Sequence, residues 1–153
     1  MDTQTAEKKW YTGSCHCGAT RYEVKLDASN LSPSKCNCSI CHKRGYVLLT
    51  VPGPEDIKLI SPASLQELGD YTFGSGKIHH RFCKTCAVSC LAEGKVGDEE
   101  IYTINALSID QDQGIELKDI KFKYLNGKAI TIDETGSYDM QGSSDAPRQG
   151  GCW

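Results

Sequence analysis

Gly13-Ser14-Cys15-His16-Cys17-Gly18-Ala19-Thr20-Arg21-Tyr22-Glu23-Val24 sets two thiols one residue apart directly before a strand. From Thr20 to Leu26 apolar and charged residues alternate, the period-two pattern of a half-buried strand. Thiols this close can point at one ion when a tight turn converges their Sγ atoms. Gly18 suits such a turn, because it adopts positive φ and permits close backbone approach. The stretch therefore predicts a β structure with cysteine turns at strand ends.

Two further clusters extend the pattern: Cys36-Asn37-Cys38-Ser39-Ile40-Cys41 and Cys83-Lys84-Thr85-Cys86. Seven of the 9 cysteines lie in the three clusters. Zinc takes four such ligands in a structural site and three where a position stays open for chemistry. Seven then divides as four plus three. Cys15, Cys17, Cys83 and Cys86 make a plausible closed site, in which the metal closes a long loop and adds to folding free energy. Cys36, Cys38 and Cys41 make a compact triad with one coordination position left over. Three thiolates on Zn²⁺ carry a net negative charge, which the adjacent Lys35, His42, Lys43 and Arg44 can offset. Candidates to close that position are Cys90, His16, His42, His79 and His80. Cys90, within Ala87-Val88-Ser89-Cys90-Leu91-Ala92, reads better as a small core hydrophobe. His79 and His80 point to opposite faces of a strand, so at most one of them faces the metal region from it. Cys152 reads as a free thiol in the tail.

The rest of the chain is ordinary globular sequence of 153 residues, 39% hydrophobic and 24% charged, enough for one domain. Net charge is −3, with no long basic stretch, so no nucleic-acid partner is expected. Apolar runs are only a few residues long, so no membrane span is expected. The start, Met1 to Lys9, has no signal-peptide character. The expected location is the cytosol, with the nucleus a second option, and in a reducing compartment clustered cysteines favour metal over disulfides. Residues 1–8 read as a polar leader, 9–133 as a zinc-binding β domain and 134–153 as a mobile polar tail. Further strands are expected at 46–51, 57–60, 78–82, 100–104 and 120–124. Asn126-Gly127 reads as a hairpin turn into Ala129–Ile132. Helix signals are weak, and Leu65, Leu68 and Tyr71 fit a helix, strand or turn equally.

The Gly13–Val24 stretch, Cys36-Asn37-Cys38-Ser39-Ile40-Cys41-His42-Lys43 and His80-Arg81-Phe82-Cys83-Lys84-Thr85-Cys86, in that order, resemble the glutathione-dependent formaldehyde-activating enzyme family. This family is also called centromere-protein-V-like. The resemblance spans roughly residues 10–130. It implies a mainly β, Mss4-like fold of several small antiparallel sheets. It also implies two Zn²⁺ per chain: one structural, on Cys15, Cys17, Cys83 and Cys86, and a second, more labile, on Cys36, Cys38 and Cys41. The second would be the catalytic one, open for the thiol of glutathione as co-substrate. The implied activity is that of a carbon–sulfur lyase of the S-(hydroxymethyl)glutathione synthase type, acting on formaldehyde, another small electrophile or a glutathione conjugate. Ala87 stands where the family usually has Gly, and Asn37 where it often has His. The competing reading is a non-catalytic, zinc-stabilised binding module.

Overall fold

The computed structural model describes residues 7–129, 131–132, 138–139 and 143–147. Most of the expected leader and much of the expected tail, including Cys152, lie outside the described residues. The chain is mainly β. In chain order the strands are β1 (Lys9–Ser14), β2 (Arg21–Leu26), β3 (Ser34–Cys36), β4 (Leu48–Val51), β5 (Ile57–Ser61) and β6 (Gly69–Tyr71). There follow β7 (Ile78–Phe82), β8 (Leu91–Val96), β9 (Glu99–Asn105), β10 (Lys123–Leu125), β11 (Thr131–Ile132), β12 (Tyr138–Asp139) and β13 (Ser143–Ser144). Among the described residues they form a three-stranded sheet, β1-β2-β5, and an eight-stranded sheet, β13-β10-β3-β4-β9-β8-β7-β6, beside the small β11-β12 ribbon.

Two of the hairpins turn through cysteines. β1 and β2 pair antiparallel from Lys9↔Leu26 to Ser14↔Arg21, so Cys15–Thr20 is their connection. β7 and β8 pair antiparallel, and the 83–90 segment joins them. The alternation of Tyr22, Val24 and Leu26 buries all three on one face of β2. They meet Leu49, Val51, Leu91 and Ile104 from the large sheet in one apolar cluster, which is the main core. Leu49, Ile104 and Leu91 are direct cross-strand partners and form a row across β4, β9 and β8.

The large sheet has a second face. Thr50, Thr103, Ala92, His80 and Tyr71 are successive cross-strand partners on β4, β9, β8, β7 and β6. Ser34 on β3 pairs with Leu48, which shares the face of Thr50. Two residues on, Cys36 projects to that same face. The two cysteine groups therefore start from different environments, one in the main core and one on the opposite face of the sheet.

Three expectations need correction. The alternation over 120–124 becomes strand only at β10, after a 3-10 turn at Leu117–Asp119. Asn126-Gly127 does not turn a hairpin. β10 pairs in parallel with β3 and antiparallel with β13, Gly127–Ala129 is a 3-10 turn, and β11 pairs with β12. Six residues of the second cysteine cluster and its basic flank are helical: α1, Ser39–Arg44. Gly45 ends it at φ 65°, its N–H donating to the Cys41 carbonyl, the usual αL stop. A helix this short has too few turns to show a hydrophobic period. The segment at Leu65 resolves as a 3-10 turn, Leu65–Glu67, capped reciprocally by Ser64 and Glu67, followed by β6.

Candidate metal centres

The Sγ atoms of Cys15, Cys17, Cys83 and Cys86 lie within 4.8 Å of one another. Cys17 Sγ is 3.6 Å from both Cys15 Sγ and Cys83 Sγ. Two backbone loops of the same design deliver them. The Cys15 N–H donates to the Thr20 carbonyl (3.0 Å), and the Cys83 N–H to the Val88 carbonyl (3.0 Å). In each loop the residue after the second cysteine has positive φ, Gly18 at 79° and Ala87 at 62°. Ala87, though not a glycine, still holds the left-handed turn. Backbone N–H groups also point at the sulfurs: Thr20 at Cys15 Sγ (3.2 Å) and Thr85 at Cys83 Sγ (3.4 Å). Burial pushes the Cys83 thiol up, but the Cys86 and Thr85 N–H groups outweigh it and bring it down to about 6. Preset N–H donors of this kind stabilise thiolates, the form a metal requires. Cys15 and Cys83 are buried in the main core, and Cys17 is exposed.

Cys36, Cys38 and Cys41 form the second group, again with all Sγ atoms within 4.8 Å. β3 ends on Cys36, the N-cap position of α1 brings Cys38, and the first turn of α1 brings Cys41. The Cys38 N–H reaches Cys36 Sγ at 3.4 Å. Hydrogen bonds from the Cys36 and Cys41 thiols hold Cys38 well below the ordinary thiol range, while hydrogen bonds with Cys36 and Cys38 push Cys41 far up. Three sulfurs this close share one negative charge and resist a second, a conflict that a dication resolves. The donor set therefore fits zinc at both groups.

Among the described residues no other His, Cys, Asp or Glu completes the second group. Cys90 sits 1% exposed in the main core, its thiol pushed up to about 12 by burial. His16 and His42 are exposed. His79 Nδ1 is 2.7 Å from Asp70, on the face of β7 that carries Arg81. His80 projects to the face of Cys36, in a wall with Tyr46 and Phe73. Of the basic residues, Lys35 lies over the Phe122 ring on the other side of β3, while His42, Lys43 and Arg44 form the last turn of α1. Arg44 is held between Tyr71 and Phe82 and donates to Ser89 Oγ (3.0 Å).

A clasp closes over the second group. Asn37, 2% exposed, donates from Nδ2 to Asn126 Oδ1 (2.8 Å), and its Oδ1 accepts from the Lys128 N–H (3.0 Å). This draws Gly127 onto the sulfurs: a Cβ there would overlap Cys36 Sγ and stand 2.8 Å from Cys38 Cβ. Sequence reasoning missed this clasp and Tyr46. The partners are about ninety residues apart, and Asn126-Gly127 carries a strong local turn signal that conceals its long-range role.

Residues 10–124 match the model of the glutathione-dependent formaldehyde-activating enzyme family. The chain belongs to that family. A solved crystal structure of a Rhodobacter sphaeroides protein is similar, at 30% sequence identity and a TM-score of 0.57, with 71% of this chain and 93% of that one covered. The family match ends at Tyr124, so Asn126 and Gly127 of the clasp fall just beyond it.

Proposed function

We propose that the protein is a zinc-dependent carbon–sulfur lyase or synthase acting on glutathione adducts. In this reading Cys15, Cys17, Cys83 and Cys86 hold a structural zinc, and Cys36, Cys38 and Cys41 hold the zinc at which glutathione is activated. The observation that carries the reading is three thiols gathered at one point with no fourth protein ligand among the described residues. The family's name supplies the co-substrate, glutathione, and formaldehyde as one electrophile.

A free thiol has a pKa of about 8.5, and a zinc ion held by Cys36, Cys38 and Cys41 would supply the positive charge that keeps the glutathione sulfur deprotonated at neutral pH. The chain's part is to place that sulfur. Cys36, Cys38 and Cys41 would fill three of four positions and leave the fourth to that sulfur, and the Asn37 clasp packs Gly127 against Cys36 and Cys38. Carbon–sulfur bond formation moves the carbonyl π pair onto oxygen, which then takes a proton. In reverse the hydroxyl proton leaves, the carbonyl re-forms and the carbon–sulfur pair returns to sulfur. Positioning supplies much of any rate gain, because metal binding tempers a thiolate's nucleophilicity. The basic last turn of α1 offsets the negative charge of the sulfur cluster.

The test is a titration of glutathione into cobalt-substituted protein, following the thiolate-to-metal absorption. A spectral change as a fourth sulfur joins is expected at one of two bound cobalt ions. Two ions whose spectra ignore glutathione would instead make the protein a zinc-stabilised binding module.

A further inference from the structure

Two arginines are held against opposite faces of the eight-stranded sheet, and only one of them has an anion. Arg81 on β7, 7% exposed, lies against the carboxylates of Glu93 (2.7 Å) and Asp70 (3.4 Å). Arg44, the last residue of α1, is half-buried, its guanidinium 5.4 Å from the ring centroids of both Tyr71 and Phe82. Its Nη1 donates to Ser89 Oγ (3.0 Å), and no carboxylate among the described residues pairs with it. Asp70, beside Tyr71 on β6, faces the other way, onto His79 and Arg81. A guanidinium presents five N–H donors in a planar fork that fits a carboxylate. Two rings and one hydroxyl hold this fork in place and leave most of its donors unused.

The triad lies on the same side of the sheet. Cys41 and Arg44 are three residues apart in α1 and so are neighbours on one face of the helix. Tyr71, His80 and Phe82 share the sheet face to which Cys36 projects. Burial and then the Arg44 charge hold His80 below its ordinary value while Cys38 pulls the other way, so guanidinium and sulfurs act on one imidazole. Tyr71 is 46% exposed and stacks at 5.8 Å on Phe73, 52% exposed, so the ring that carries Arg44 is open to solvent. Glutathione has one carboxylate on its glycine and one on its γ-glutamyl group, each roughly 7–10 Å from the sulfur when extended. A sulfur at the triad therefore brings a carboxylate within range of a guanidinium on the same helix face.

We propose that Arg44 is the carboxylate anchor of this site: its guanidinium pairs with a carboxylate of the peptide whose sulfur takes the fourth position at the triad. The site then selects an anionic peptide thiol over a neutral one. The inference rests on the glutathione reading above and adds the residue that tells glutathione from a simple thiol. Arg44 is a specificity-determining residue here, and no covalent step is assigned to it.

The test titrates three thiols into cobalt-substituted protein and reads the thiolate-to-metal absorption: glutathione, glutathione diethyl ester and 2-mercaptoethanol. The wild type is expected to bind glutathione about tenfold or more tighter than the diethyl ester, in which both carboxylates are masked. Arg44→Gln should remove most of that difference, weakening glutathione by about tenfold or more. It should weaken 2-mercaptoethanol, which has no carboxylate, far less. Arg44→Lys, which keeps the charge and loses the fork, should fall between wild type and Arg44→Gln. The ester comparison needs no substitution, so it decides the matter even where Arg44→Gln folds poorly. Equal binding of acid and ester by the wild type, or a loss in Arg44→Gln that is the same for all three thiols, overturns the inference and leaves the glutathione site standing. A wild-type spectrum that ignores glutathione overturns both.

Discussion

Ala87 holds the left-handed conformation, φ 62°, that closes the second cysteine loop, and its side chain is exposed. An L residue in that region costs about 1–2 kcal/mol relative to its preferred conformations, a cost that glycine largely escapes. The turn survives because the Ala87 N–H donates to the Cys83 carbonyl (2.8 Å) and the next residue, Val88, accepts from the Cys83 N–H (3.0 Å). Ala87→Gly is therefore expected to stabilise the protein by about 1 kcal/mol, read as a rise in Tm of the zinc-loaded protein. A fall in Tm would mean that the added freedom of the unfolded chain outweighs the relief of strain. At this scale the chain is highly legible. Cysteine spacing and the residue after each pair are local properties, so both loops are visible before any tertiary contact is known. Tyr46 is the opposite case, an ordinary strand-like residue until folding packs it against Cys36 and Cys41.

Between residues and the whole, the second metal group depends on elements that are short and meet late in the chain. β3 and α1 supply the ligands, and the turn after β10 lies over them through Asn37, Asn126 and Lys128. Gly127 is required for close approach, since any side chain there runs into Cys36 and Cys38. Gly127→Ala is expected to weaken metal binding at the triad by about tenfold or more, equivalent to about 1.4 kcal/mol, with little effect on the four-cysteine group. Competition with a chromophoric chelator, resolving two stages of zinc release, measures this. Equal weakening of both stages would show that Gly127 acts on the fold as a whole. Sequence patterns resolve the long strands here because alternation over five or more residues survives folding. They miss α1, which has under two turns, and misread Asn126-Gly127, whose local turn preference is put to a different use by packing against β3.

Over the whole molecule the two metal groups differ in what surrounds them. Cys15 and Cys83 are part of the main core with Tyr22, Val24, Leu91 and Ile104, and they tie the three-stranded sheet to the eight-stranded one. Cys36 and Cys41 belong to a satellite cluster with Tyr46 on the other face. Cys83→Ser should therefore destabilise the fold by about 4 kcal/mol or more, since it opens the metal site inside the core. Cys38→Ser should leave most of the stability intact, reduce zinc from two ions to one and abolish glutathione binding. Denaturant unfolding with metal analysis distinguishes them, and equal unfolding by both substitutions would refute the division of labour. Cysteine spacing and strand alternation by themselves determine a mainly β fold and the two sulfur groups, and the motifs around the cysteines carry the resemblance to the family, because each is written within a few neighbouring residues. Tertiary structure alone decides that the triad has its own sheet face, that Asn37 clasps the turn after β10 over it, and that Tyr46 packs between its sulfurs and the His80 ring. Those features depend on register between strands distant in the chain, which the packing of the sheet sets and no local pattern encodes.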